Sequence, residues 1–131
     1  MPFPKIDACL ICDIAREEGN GKMSLLGFVG ITPGVDLFVP TFEFPIGITF
    51  VLVGGMSTGN NSASFKVTDE KTKRIIFETP PMPTKVDESK ARSVFAIQTA
   101  AKYPQPGKYR LEVIVNRDPV FSTTFDLTLK P

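Results

Sequence analysis

Read from Lys5 onward, the chain alternates apolar and polar positions with a period of two, and turn residues punctuate the alternation. The first run, Ile6 to Ala15, sets Ile6, Ala8, Leu10, Cys12 and Ile14 on one face and Asp7, Cys9, Ile11 and Asp13 on the other. The first set reads as the core face. Asn20-Gly21 follows, and both residues accept the positive φ of a type I′ turn, so Lys22 to Ile31 is expected to fold back antiparallel on the first strand. Gly27 and Gly30 in that second strand point to a bulge or a close backbone approach.

Ile46 to Val53 reads as a buried strand, apolar on both faces. Gly54 to Asn61 has the composition of a flexible loop. Ser62 to Asp69, Arg74 to Glu78 and Ser93 to Thr99 read as further strands. The last two are the clearest. Lys108 to Asn116 puts Tyr109, Leu111, Val113 and Val115 on one face, and Val120 to Leu129 does the same with Phe121, Thr123, Phe125, Leu127 and Leu129. Arg117-Asp118-Pro119 links them as a tight hairpin. Two connections are less regular. Thr32 to Phe44 reads as a crossover between sheets with room for a short edge strand. Thr79 to Arg92 reads as a long, proline-bearing connection with room for a helical turn at Asp87 to Ala91.

No stretch of ten residues carries a 3.6 period. Short strands spaced about 8 to 12 residues apart predict an all-β fold. The expected architecture is a two-sheet antiparallel sandwich, immunoglobulin-like or a related Greek key, of about 7–9 strands. With 131 residues the chain is expected to form a single domain, residues 1–131. Pro104-Gln105-Pro106-Gly107-Lys108-Tyr109 resembles the turn entering a late strand of immunoglobulin-like sandwiches, where a tyrosine bonds back to the backbone at the sheet corner.

Composition narrows the chemistry. There is no histidine, so the commonest general base and metal ligand is missing. Fifteen basic residues against fourteen acidic ones leave a net charge of +1, without the basic stripe expected of a nucleic-acid binder or the polybasic patch expected at an anionic membrane. The expected partners therefore exclude nucleic acid and membrane. The start of the chain does not read as a signal peptide, and the longest apolar stretch, Phe44 to Gly55, is interrupted by Pro45 and Gly47 and too short to span a bilayer. A cytoplasmic setting is expected.

Cys9 and Cys12 form a C-x-x-C, a spacing used for zinc and redox chemistry. Within an alternating strand, however, positions i and i+3 point to opposite faces, so the sulfurs diverge. Cys12 is expected in the core and Cys9 on the other side. The acidic residues Asp7, Asp13, Glu17 and Glu18 lack a calcium-loop pattern and read as a solvated face and a charged hairpin tip. Gly54-Gly55 opens no helix and no Gly-Lys-Ser/Thr occurs, so no phosphate loop is expected. No catalytic, cofactor or metal residue is assigned.

Val35 to Phe44 is denser in apolar residues than a solvated connection requires. Val35, Leu37, Phe38 and Phe42 therefore either fold onto the core or form a candidate interface with a subunit or partner. The functional expectation is a non-enzymatic sandwich acting through protein–protein contacts or self-assembly. The alternatives are a small-ligand or carbohydrate-binding sandwich, for which Tyr103 and Tyr109 would have to form a concave cluster, and a structural subunit of a phage-type assembly.

Leu10-Ile11-Cys12-Asp13, followed by Gly21-Lys22-Met23-Ser24-Leu25-Leu26-Gly27, resembles a bacterial family of uncharacterised β-sandwich proteins. Its members carry a strand ending in Leu-x-Cys-Asp and then a Gly-Lys-x-Ser-Leu-x-Gly hairpin. Pro106-Gly107-Lys108-Tyr109 is similar to its later Gly-x-Tyr strand. The resemblance implies the fold and brings no catalytic residue with it.

Overall fold

Ten strands account for most of the chain: β1 (Lys5–Glu17), β2 (Met23–Ile31), β3 (Asp36–Val39), β4 (Ile46–Gly55), β5 (Gly59–Asp69), β6 (Ile75–Glu78), β7 (Met82–Val86), β8 (Arg92–Ala101), β9 (Gly107–Val115) and β10 (Asp118–Leu129). The structure is a computed structural model and describes residues 5–18, 23–55, 58–86 and 92–131. Among these residues there is no helix, so none is long and apolar enough to cross a membrane. One sheet has four strands in the order β2-β1-β4-β8; the other runs β3-β10-β9-β5-β6, with β7 also paired to β5. The protein is an all-β two-sheet sandwich. Its neighbouring strands pair antiparallel, except that β3 runs parallel to β10.

The core lies between the sheets and is built around aromatic rings. Phe50 of β4 meets Phe125 of β10 edge-on at 5.3 Å, and Tyr103 meets Tyr109 edge-on at 4.9 Å. These four side chains are fully buried, with Ile48, Leu52, Leu111, Val113 and Leu127 around them. The Tyr109 hydroxyl donates to the Gln105 carbonyl, which pins the turn entering β9 to the sheet corner as its sequence suggests.

Two strands depart from the sequence reading. The count exceeds the expected upper bound of nine because β7 lies inside the segment read as a connection. Pro83 hides it: proline cannot donate to a ladder and is confined to edge strands, and among the described residues β7 pairs only with β5. The proposed helical turn at Asp87 to Ala91 lies outside the described residues. The β5 strand also starts at Gly59, within the stretch read as a loop. At the last hairpin the turn falls on Asn116-Arg117, both with positive φ (51° and 71°), so Pro119 already belongs to β10. The Asn116 side chain ties that turn to β5, accepting from the Ser62 N–H at 2.9 Å and donating to the Asn61 side-chain oxygen at 3.0 Å.

The first hairpin pairs as expected, from Leu10↔Ile31 to Glu17↔Met23. Its Asn20-Gly21 turn lies outside the described residues. After β2 the chain crosses to the second sheet. Thr32 anchors the crossing by donating twice to the Cys9 carbonyl, from its backbone N at 2.9 Å and from its hydroxyl at 3.0 Å.

Candidate interaction surface

The first strand does not keep one phase. Its pairing with β4 shifts between Ile6 and Ala8, so Asp7 is an extra residue that turns the following side chains over. Ile6 faces the inter-sheet core, but beyond the bulge Cys9 and Ile11 face it instead. This corrects the expected faces. Cys9 is the core cysteine. Cys12 is also buried but stands outside the inter-sheet cluster, on the opposite face. Leu10 and Ile14 share that outer face, as do their partners across β2, because directly paired residues project to the same side: Leu10↔Ile31, Cys12↔Phe28 and Ile14↔Leu26.

The outer face of the sheet is therefore apolar along β1 and β2 from Leu10↔Ile31 to Ile14↔Leu26. Leu26, Phe28 and Ile31 are 52%, 54% and 57% exposed, and Ile14 is 47% exposed. Beneath this layer Cys12, Thr49 and Val51 are nearly inaccessible although none belongs to the core between the sheets. The Thr49 hydroxyl is satisfied by the Asp13 carbonyl at 3.0 Å. Strand β2 is also the sheet's edge, and Met23–Ile31 contains neither a charged residue nor a proline. Sheet edges are normally guarded against pairing by such residues.

The segment proposed from sequence divides. Val35 is buried in the core, and Leu37 and Phe42 pack against it, so three of the four fold inward. Phe38 is 61% exposed on β3, an edge strand of the other sheet. The apolar row on β2 was not legible because Asp7 inverts the apparent core face. The available signal was Phe28 and Leu26, which alternate across Gly27 with no polar residue between them.

Among the described residues the remaining candidates group into no reactive centre, and the Glu17 side chain lies outside them. The Cys9 thiol is pushed up to about 12 by burial, which keeps it protonated and unreactive. Burial also raises Cys12, and both cysteines are free. Asp7 lies 3.8 Å from the Lys5 ammonium, and Glu18 takes Arg16 at 3.2 Å and the Ser24 hydroxyl at 2.8 Å. Among the described residues no three His, Cys, Asp or Glu side chains gather as metal ligands. Tyr103 and Tyr109 are sealed in the core and offer no sugar platform. The best-formed ion pair is bidentate, Arg110 to Glu70 at 2.9 and 2.8 Å, and it holds the Glu70 carboxyl below its ordinary range.

No family model and no curated protein matches the chain. Among solved structures it is similar to the Pseudomonas fluorescens alkylpurine DNA glycosylase AlkC bound to DNA containing an abasic site analog, with a TM-score of 0.44 and 15% identity over 74% of this chain. The chain spans 28% of that glycosylase. The expectation that excluded nucleic acid is corrected: that solved structure is one of a DNA-bound protein, and the exclusion rested on charge balance alone. An even charge balance is no ground for that exclusion, because charge placement on the surface decides binding and net charge does not. A likeness at this level carries no argument about what this chain binds.

Proposed function

We propose that the protein is a non-enzymatic β-sandwich that works through protein contacts, and that its own copies meet at the outer face and edge of β2. One observation carries this reading. The unguarded edge strand and the row Leu26, Phe28, Ile31 and Ile14 coincide on the same side of the same sheet. An edge strand can pair antiparallel with itself across a two-fold axis, so one surface serves both partners. Such pairing would join two four-stranded sheets and cover the apolar row at once. A cytoplasmic setting belongs to the same reading, supported by two cysteines placed on opposite faces, where they cannot bridge.

Sedimentation velocity across a hundredfold range of concentration tests it. A dimer that gives way to monomer in Phe28→Ser and in Val29→Lys, with folding preserved by circular dichroism, is the expected result. A wild-type protein that stays monomeric throughout, with no binding partner recovered from its host, sinks the proposal.

A further inference from the structure

At the far side of the sandwich from β2, the two sheets do not close. Here the edge strand of one sheet, β8, faces the outermost strand of the other, β6 running into β7. Between them lies a cleft of about 400 Å³. Its floor is the core itself: Ile6, Leu52, Ala63, Val113 and Val115, all buried. Phe65, Phe95 and Ile97 form its walls, and each remains half-buried. Met82, Ala96 and Gln98 stand exposed at its rim.

Among the described residues no charged side chain lines the cleft. Two of the three polar residues described there are spoken for. The Thr79 hydroxyl accepts from the Phe65 N–H at 2.9 Å, and the Thr84 hydroxyl donates to the Met82 carbonyl at 3.4 Å. A peptide or a sugar brought inside would lose water without finding partners for its polar groups, a cost of about 1–3 kcal/mol for each unpaired group. A hydrocarbon has no such cost. We propose that this cleft binds a single unbranched alkyl chain, inserted tail first, with its polar head left in solvent at the rim. At roughly 30 Å³ per methylene, close to the volume of a water molecule in the liquid, the cleft holds about a dozen carbons. The site is distinct from the β2 face and does not depend on it.

A chain-length series tests this by calorimetry on the intact protein, using sodium octanoate, decanoate, dodecanoate, tetradecanoate and hexadecanoate below their micelle concentrations. The expected result is one molecule bound per chain. Affinity should rise about fourfold for each added methylene and level off near a dozen or so carbons, where the cleft is full. Ala63→Leu, which places bulk on the floor, should weaken dodecanoate at least tenfold while circular dichroism and the melting temperature stay at wild-type values. If that variant unfolds, Ile97→Phe narrows the wall for the same comparison. Phe28→Ser should leave binding unchanged, which separates this site from the proposed self-association. Any of three results overturns the proposal: no stoichiometric binding, affinity that climbs without a plateau as in surface adsorption, or binding that competes with dimerisation, which would place a second copy in the cleft.

Discussion

The carboxylate of Asp13 lies directly over the Cα of Gly27, where it fills the space a β-carbon would occupy. Gly27 also has a φ of 66°, a conformation that costs a residue with a side chain about 1 kcal/mol or more. Gly27→Ala should therefore destabilise the protein by about 2–4 kcal/mol through backbone strain and overlap together. The two causes separate in a double-mutant cycle read by urea denaturation. In an Asp13→Ala background the carboxylate overlap is gone and only the Asp13 β-carbon, 2.8 Å away, still crowds the position, so Gly27→Ala should cost less there. Equal costs in both backgrounds would show that Asp13 plays no part.

Cys9 makes alkaline stability measurable at one site. Its folded-state value, pushed up to about 12 by burial, lies above that of an exposed thiol, about 8.5. The sign follows directly. Below 8.5 the thiol is neutral in both states and its contribution is fully present. Above 8.5 the unfolded chain ionises while the folded chain does not, and stability falls by about 1.4 kcal/mol per pH unit until the folded thiol itself titrates. Cys9→Ala removes this slope, and the buried tyrosines contribute equally to both proteins. Urea midpoints between about pH 7.5 and pH 10.5 should thus fall more steeply for the wild type than for the variant. Parallel lines would mean that Cys9 ionises as an exposed thiol does.

How much of this was legible depends on whether a local rule was broken. Period-two alternation placed β9 and β10 correctly because nothing interrupts their phase through Leu111, Val113, Phe125 and Leu127. The same alternation failed in β1, where a one-residue bulge at Asp7 reverses the faces. No propensity marks that bulge in a single sequence, since it is set by pairing with Gly54, whose missing side chain lets the backbone at Lys5 and Ile6 come close. From that one inversion followed the errors at the candidate surface: the cysteines exchanged faces, and the outward Leu10 and Ile14 were read as core. The crossover to β3 was visible as an apolar excess, but Val35 and Phe38 differ only in which way a strand turns them. That is decided by the parallel pairing of β3 with β10, a contact made across most of the chain's length.

Glu70 and Arg110 predict an acid effect of the opposite sense. The carboxyl is depressed mainly by hydrogen bonds from the Arg110 guanidinium, so its contribution is present above its unfolded value of about 4.3 and is lost as pH falls through the lower folded value. Both side chains are partly solvated, which keeps the effect below about 1 kcal/mol at neutral pH. Glu70→Gln should be slightly less stable than wild type at neutral pH and should converge with it as pH drops from about 5 to 3. Thermal melts with 1 M sodium chloride should shrink the neutral-pH difference. A gap that widens in acid would reverse the assignment.

The two core tyrosines are neighbours with opposite expectations. Tyr109 donates its hydroxyl to the Gln105 carbonyl and so closes the turn into β9. The Tyr103 hydroxyl is buried more deeply, and among the described residues it has no hydrogen-bond partner. Burial raises both phenols above their ordinary range, and in Tyr109 the hydrogen bond to Gln105 opposes that rise. Removing a hydroxyl with a partner strands that partner, whereas removing one without a partner relieves a desolvation cost. Tyr109→Phe should cost about 1–1.5 kcal/mol, and Tyr103→Phe should be neutral or stabilising by up to about 1 kcal/mol. Both variants keep their ring and its edge-on contact, so the difference isolates the hydroxyls. Urea denaturation of the two single variants and the double variant decides it. Tyr103→Phe losing as much as Tyr109→Phe would mean that the Tyr103 hydroxyl is held by a partner of its own.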